Sequence, residues 1–162
     1  MTEINIRIDD ARVRRALNDF LHRGRDMSPA MREVAATLER EAEAAFENQR
    51  APDGTAWAEL SATTKQRRQK RGTWPGQVLQ VSGTLSNSIT SAHGADFALA
   101  GTNIIYAATH QFGARRGQFG ATKRGAPIPW GDIPARPFLG ISPDGETAVV
   151  SILTQHLAEA VQ

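Results

Sequence analysis

Cysteine is absent from the 162 residues, which removes disulfides and thiolate metal sites together and leaves the fold to stand on packing alone. Aromatic residues are scarce, with one Tyr, three Trp and six Phe, so a large core is not expected. Long apolar runs are missing as well. No stretch approaches the ~20 apolar residues of a membrane span, and Met1 to Arg7 carries no apolar segment of signal-peptide length. The expected setting is a cytoplasm, or an assembly built there, with no membrane partner.

Catalytic patterns are lacking too. Four histidines, His22, His93, His110 and His156, are scattered without metal-ligand spacing, and with no cysteine a zinc site would need distant carboxylates. Ser82-Gly83 lacks the flanks of a nucleophile elbow, and Gly117-Gln118-Phe119-Gly120 is not followed by the Lys-Ser or Lys-Thr of a phosphate loop. A nuclease needs clustered acids, yet residues 65–136 hold only Asp96 and Asp132. Neither an enzyme, nor a cofactor, nor a metal is expected.

What is present is an uneven distribution of charge. Residues 1–64 carry nine Lys/Arg against twelve Asp/Glu, residues 65–136 ten against two, and residues 137–162 none against three. A basic middle between acidic ends suits contact with a polyanion, or head-to-tail packing of copies in which one basic face meets a neighbour's acidic one. A solvated basic region without a partner is the plainer alternative. The phosphate contacts it offers are Lys65, Arg67, Arg68, Lys70, Arg71, Lys123 and Arg124, which would bind DNA in a salt-dependent way indifferent to base sequence.

Local pattern gives the element order. Ile4, Ile6 and Ile8 alternate as in a short strand, and Asp9 or Asp10 can cap the helix that follows. In that helix Val13, Ala16, Leu17, Phe20 and Leu21 form one apolar stripe, closed near Gly24. Ser28-Pro29 reads as N-cap and first helical residue of a second helix reaching about residue 48. Ala51-Pro52-Asp53-Gly54 is a turn, after which Trp57 should pin an ordered loop. Thr63 or Thr64 can cap a short basic helix that Gly72 and Pro75 end.

Leu85 to Ile89 suggests a turn of helix leading into a strand, with His93-Gly94-Ala95-Asp96 connecting to a hairpin partner that holds Phe97 and Leu99. A short helix is expected from Ile104 to Phe112, stopped by Gly113. Residues 114–127 are too poor in apolar side chains to offset chain entropy and should be mobile. Pro127, Pro129, Pro134 and Pro137 force an extended path, in which Phe138, Leu139 and Ile141 can form a short strand. Asp144-Gly145 opens a last helix with its own stripe, Val149, Ile152, Leu153, Leu157, Ala160 and Val161. The sum is one α+β domain over residues 1–162: a small antiparallel sheet with two long N-terminal helices and a C-terminal helix packed on it.

Four segments, in this order, carry a resemblance. They are Phe46 with Pro52-Asp53-Gly54 and Trp57; Leu79 with Ser82-Gly83-Thr84-Leu85 and Ser88-Ile89; Gly101-Thr102-Asn103 with Tyr106-Ala107 and His110-Gln111-Phe112-Gly113; and Ile133-Pro134-Ala135-Arg136-Pro137-Phe138-Leu139-Gly140. Together they resemble the phage virion morphogenesis family, which includes the tail completion proteins of Mu-like phages and prophages, over roughly residues 28–160. The resemblance implies a structural component of the virion, made in the host cytoplasm, that acts in tail completion and head-tail joining. It would work as a homo-oligomer at the head-proximal end of the tail, among other tail and head-tail connector proteins, around the DNA channel. It brings no catalytic residues.

The candidate assembly interface is Arg136, Pro137 and Phe138 with Phe112, Arg115 and Arg116. Arg136 can pair with a carboxylate of a neighbouring subunit or, equally, lock its own loop through an internal salt bridge. Phe112 and Phe138 can anchor an interface or fill the core.

Overall fold

The computed structural model describes residues 11–159, apart from the side chain of Arg23. The strand expected at Ile4 to Ile8, its two aspartates, and Ala160 and Val161 of the last stripe lie outside the described residues. Helix α1 spans Ala11–Arg25 and α2 Ser28–Asn48. Their junction differs from the expectation by one residue. Met27 holds the cap position, and the Asp26 carboxylate accepts the Ser28 N–H at 3.0 Å. Hydrogen bonds from the Ser28 side chain and backbone hold the Asp26 carboxyl below its ordinary value.

Helix α2 organises the molecule. Its buried face is mostly small, with Ala30, Val34, Ala35, Ala42, Ala45 and Phe46, so other elements can approach its backbone closely. It ends at Gln49, whose left-handed conformation (φ 55°, ψ 38°) costs on the order of 1–2 kcal/mol for a residue with a Cβ. Three hydrogen bonds offset that strain: its N–H to the Ala45 carbonyl, its Nε2 to Phe46 O, and its Oε1 receiving the Val78 N–H.

The core gathers around one ring on α2. Phe46 meets Trp57 edge-on at 5.6 Å and Phe138 tilted at 5.1 Å between centroids, contacts that add to the burial of each large ring. Leu85, Ile89 and Ala107 close the cluster. Trp57 pins its loop as expected, donating Nε1–H to the Pro137 carbonyl at 2.8 Å. Gly140 lies against Pro52, where a Cβ would sit 3.0 Å from Cγ. All four segments that carry the resemblance therefore contribute to one cluster or its immediate brace.

Among the described residues the sheet is one antiparallel hairpin. Strand β1 (Thr90–His93) pairs with β2 (Ala98–Gly101) in the register Thr90 to Gly101 through His93 to Ala98, and a 3-10 turn at Ser86–Ser88 precedes it. Phe97 belongs to the connection rather than to the strand, because its ring covers Gly94, leaving no room for a Cβ there. Helix α2 packs on both strands, and Ser91 Oγ donates to the Glu39 carboxylate across that contact.

Helix α5 (Pro143–Ala158) packs on α2, and α1 packs on α5. The α+β class is thus as expected, but among the described long helices α2 is the one packed on the sheet, with α5 against α2 and α1 against α5. The cap of α5 is Ser142, two residues ahead of the expected Asp144-Gly145. Its Oγ accepts the Gly145 N–H, while the Glu41 carboxylate of α2 takes both the N–H and the hydroxyl of Ser142.

Three further differences follow. Helix α3 (Ala62–Lys70) is capped by Ser61, whose Oγ accepts the Thr64 N–H, rather than by Thr63 or Thr64. No strand forms at Phe138 to Ile141. Helix α4 (Ala107–Phe112), shorter than the expected 104–112, presents Gln111, whose Oε1 accepts the N–H groups of Phe138 and Leu139 and whose Nε2 donates to Leu139 O. One side-chain amide does the work of a partner strand.

Candidate functional site

Arg136 sits where four elements meet. It is 5% exposed, and its backbone N–H bonds the His110 carbonyl at the end of α4. Among the described residues no carboxylate pairs with the guanidinium, which the internal salt-bridge alternative called for. Nε donates to Ala58 O at 2.8 Å and Nη2 to Glu59 O at 3.0 Å. The loop between Trp57 and Ser61 turns its carbonyls inward, and a planar fork can satisfy two of them where a single donor cannot. Burial lowers the guanidinium's pKa from its ordinary value, and the nearby Arg68 charge adds to the effect.

The other predicted interface residues divide by exposure. Phe138 is fully buried at 0%, so it belongs to the core and offers no surface. Pro137 is half-buried above it. Phe112, by contrast, is 78% exposed and lines two hollows, and Ile105, just ahead of α4, is almost fully exposed. Arg115 and Arg116 follow it and are exposed; their backbone N–H groups are taken by Gln118 Oε1 and Asp132 Oδ1, and the Arg115 carbonyl accepts the Gln118 N–H.

Gly113 makes that geometry. Its φ of 76° and ψ of 176° are accessible in practice only to glycine, and a Cβ would meet Ile133 O at 2.8 Å and Ala135 N at 2.9 Å. Beyond it the basic segment leaves as a hairpin-like excursion. Ala114 pairs with Ile133, Phe119 N–H bonds Ile128 O, and Ala121 bridges Pro127. Lys123 and Arg124 are exposed at its tip.

Helix α3 stands beside the base of this excursion, with the Arg67 guanidinium 5.6 Å from the Trp130 ring centroid. Two basic segments far apart in sequence are thereby brought together. Part of their charge is already engaged within the chain: Lys65 bonds Glu59 and lies over Trp74, and Arg68 donates to Gln77 O. Lys70 and Arg71 remain exposed.

Between α3, the 79–85 segment, α4 and residues 132–136 lies an open cleft of about 470 Å³. Its lining includes Arg68, Arg136, Tyr106 and His110 over apolar walls such as Leu79, Val81 and Ile133. His110 Nδ1 is out of contact with solvent and has no hydrogen-bond partner. Burial, then the Arg136 charge, lowers the His110 pKa from its ordinary 6.5, so the imidazole is neutral at pH 7. Sequence reasoning placed His110 and Leu79 within motifs without giving either a role. The cleft could not have been found from spacing, because its walls come from four separate segments.

Among the described residues no group of three His, Cys, Asp or Glu is placed to hold a metal ion. No described helix is long and apolar enough to cross a membrane.

Comparison with known proteins agrees with the geometry. The family model described as the phage virion morphogenesis family matches residues 8–158. The chain is 35% identical over 161 residues to the putative capsid assembly protein G of Escherichia phage Mu, covering 99% of this chain and 97% of that one. It is 33% identical over 141 residues to Mu-like prophage FluMu G protein 1 of Haemophilus influenzae, covering 86% and 83%. FluMu G protein 2 of the same organism is 34% identical over 154 residues, covering 94% and 95%. No solved structure matches. The match runs almost end to end, its residues converge on a single core, and the chain belongs to the phage virion morphogenesis family.

Proposed function

We propose that this chain is a structural, non-enzymatic component of a phage or prophage virion that completes the tail and joins it to the head. It works in several copies at the head-proximal end of the tail, and is found in the host cytoplasm during assembly and in the particle afterwards. The observation that carries the reading is the full-length likeness to a phage Mu protein named for capsid assembly. The surface supports it. Val13, Leu17, Phe20 and Leu21 on α1, and Ile105 and Phe112 around α4, are large apolar side chains left exposed by the single chain, and clustered exposed apolar surface marks interaction sites. The interface we assign comprises Phe112, Arg115 and Arg116, with Arg136, Pro137 and Phe138 bracing it from beneath.

Electron microscopy of particles made without this gene tests the role. Heads accumulating apart from tails is the expected result, and normal infectious particles would refute it. Within the single domain, the excursion at residues 114–127 is proposed to be mobile until assembly. Trypsin should therefore cut at Arg115, Arg116, Lys123 or Arg124 first in the free protein and spare them in particles; equal cleavage in both states would remove this segment from the interface.

A second reading has one observation in its favour, the joining of α3 and the basic excursion through Arg67 and Trp130. Lys70, Arg71, Lys123 and Arg124 would then contact phosphates of DNA in the channel. Tight duplex binding at ~150 mM salt by a strictly monomeric protein would favour that reading, since exposed charges more than ~8 Å apart are largely screened there.

A further inference from the structure

The cleft beside Arg136 is built as a receptor for a negative group. Arg136 lies within electrostatic reach of Arg68 on one side and His110 on the other, and among the described residues no carboxylate bonds either guanidinium. Arg136 uses Nε and Nη2 on carbonyls and leaves Nη1, while Arg68 uses Nη1 on Gln77 O and leaves Nη2. His110 Nδ1 is buried without a partner, a state that costs free energy unless something fills it. The two acids on the cleft wall are already engaged, Glu59 by Lys65 and Asp132 by the Arg116 N–H.

The walls say what kind of anion fits. Leu79, Val81, Ile133 and Pro134 are apolar, and Val81 is half exposed. Leu79 is held at φ 62°, a conformation uncommon for a bulky side chain, and such strain gathers where a surface is shaped for a ligand. A phosphodiester backbone is served by exposed cations along an open track, which Lys70, Arg71, Lys123 and Arg124 supply elsewhere. An open cleft whose cationic groups stand beside aliphatic walls matches a side-chain carboxylate flanked by aliphatic residues.

We propose that this cleft captures an Asp or Glu side chain, flanked by aliphatic residues, on a polypeptide segment of a partner subunit. The carboxylate accepts from Arg136 Nη1 and Arg68 Nη2 beside the His110 ring, and the flanking side chains cover Leu79 and Val81. That the partner is a virion protein rests on the assembly reading above; the chemistry of capture does not.

The test is a titration of the isotopically labelled full chain, followed by nuclear magnetic resonance, with acetyl-Leu-Asp-Leu-amide, its Asn counterpart, and inorganic phosphate. Expected are saturable shifts at Leu79, Val81 and the His110 imidazole. The Asn peptide should bind about tenfold more weakly or worse, the scale expected for losing a charge-assisted fork. Arg68→Gln should weaken the Asp peptide similarly. Val81→Asp, at an exposed position the fold tolerates, should block it by placing a carboxylate in the cleft. Equal binding of the Asn peptide, displacement of the Asp peptide by equimolar phosphate, or no shift at millimolar peptide would overturn the proposal. Particle assembly is read separately: normal particles without the gene, with a positive titration, would remove the assembly role and leave the cleft, and a head-tail defect with a negative titration would do the reverse.

Discussion

Replacing Arg136 by alanine separates a residue that braces one chain from a residue that bridges two. The guanidinium donates to the carbonyls of Ala58 and Glu59 at 2.8 and 3.0 Å, and hydrogen bonds to charged groups are worth about 1.5–3 kcal/mol each. Against that stands relief from burying a cation, since desolvation and the Arg68 charge both disfavour it in the native state. The net expectation for Arg136→Ala is a loss of about 2–3 kcal/mol, because two carbonyls near the start of α3 lose their donor. For a chain of this length that lowers the melting temperature by roughly 5–10 °C.

Circular dichroism on the isolated protein measures the shift, with urea unfolding to supply the free energy. Arg136→Lys should recover less than half of it, since one ammonium group cannot span both carbonyls in the fork's geometry. A melting temperature within about 1 °C of the parent, together with failed particle assembly, would refute this account and place Arg136 between subunits.

Gly113→Ala should destabilise by about 2–4 kcal/mol in urea unfolding, combining backbone strain at φ 76° with a Cβ pressed 2.8 Å from Ile133 O. Phe112→Ser, at a site 78% exposed, should leave stability within about 0.5 kcal/mol yet reduce incorporation into particles; normal incorporation would remove Phe112 from the interface. The lowered pKa of His110 has a definite sign. Its folded value lies below the ordinary 6.5, so the unfolded chain takes up the proton first. The stability it contributes is fully present above 6.5 and is lost as pH falls toward the folded value. The urea midpoint should drop across mildly acidic pH, before Asp26, Asp53 and Glu59, whose pKa values are lowered from the ordinary carboxylate range, begin to protonate. His110→Asn should flatten that slope.

The sequence by itself determined the local elements. An apolar stripe at helical spacing marks α1, α2 and α5, and Pro-Asp-Gly marks the turn before Trp57, because these signals depend on neighbours within about four residues. The hairpin was legible for the same reason; an isolated Trp57 in a polar loop marked a pin, but not its partner, the Pro137 carbonyl 80 positions on. Tertiary structure alone decided the rest. Gln111 replaces a strand partner for residues 27 and 28 positions away, and Arg136 serves carbonyls 77 and 78 positions back. Periodicity reports that α1 has an apolar face but not that the single chain leaves it open. The cleft exists only because four segments converge, and no local pattern encodes which distant backbone group a polar side chain will meet once the chain has closed on itself.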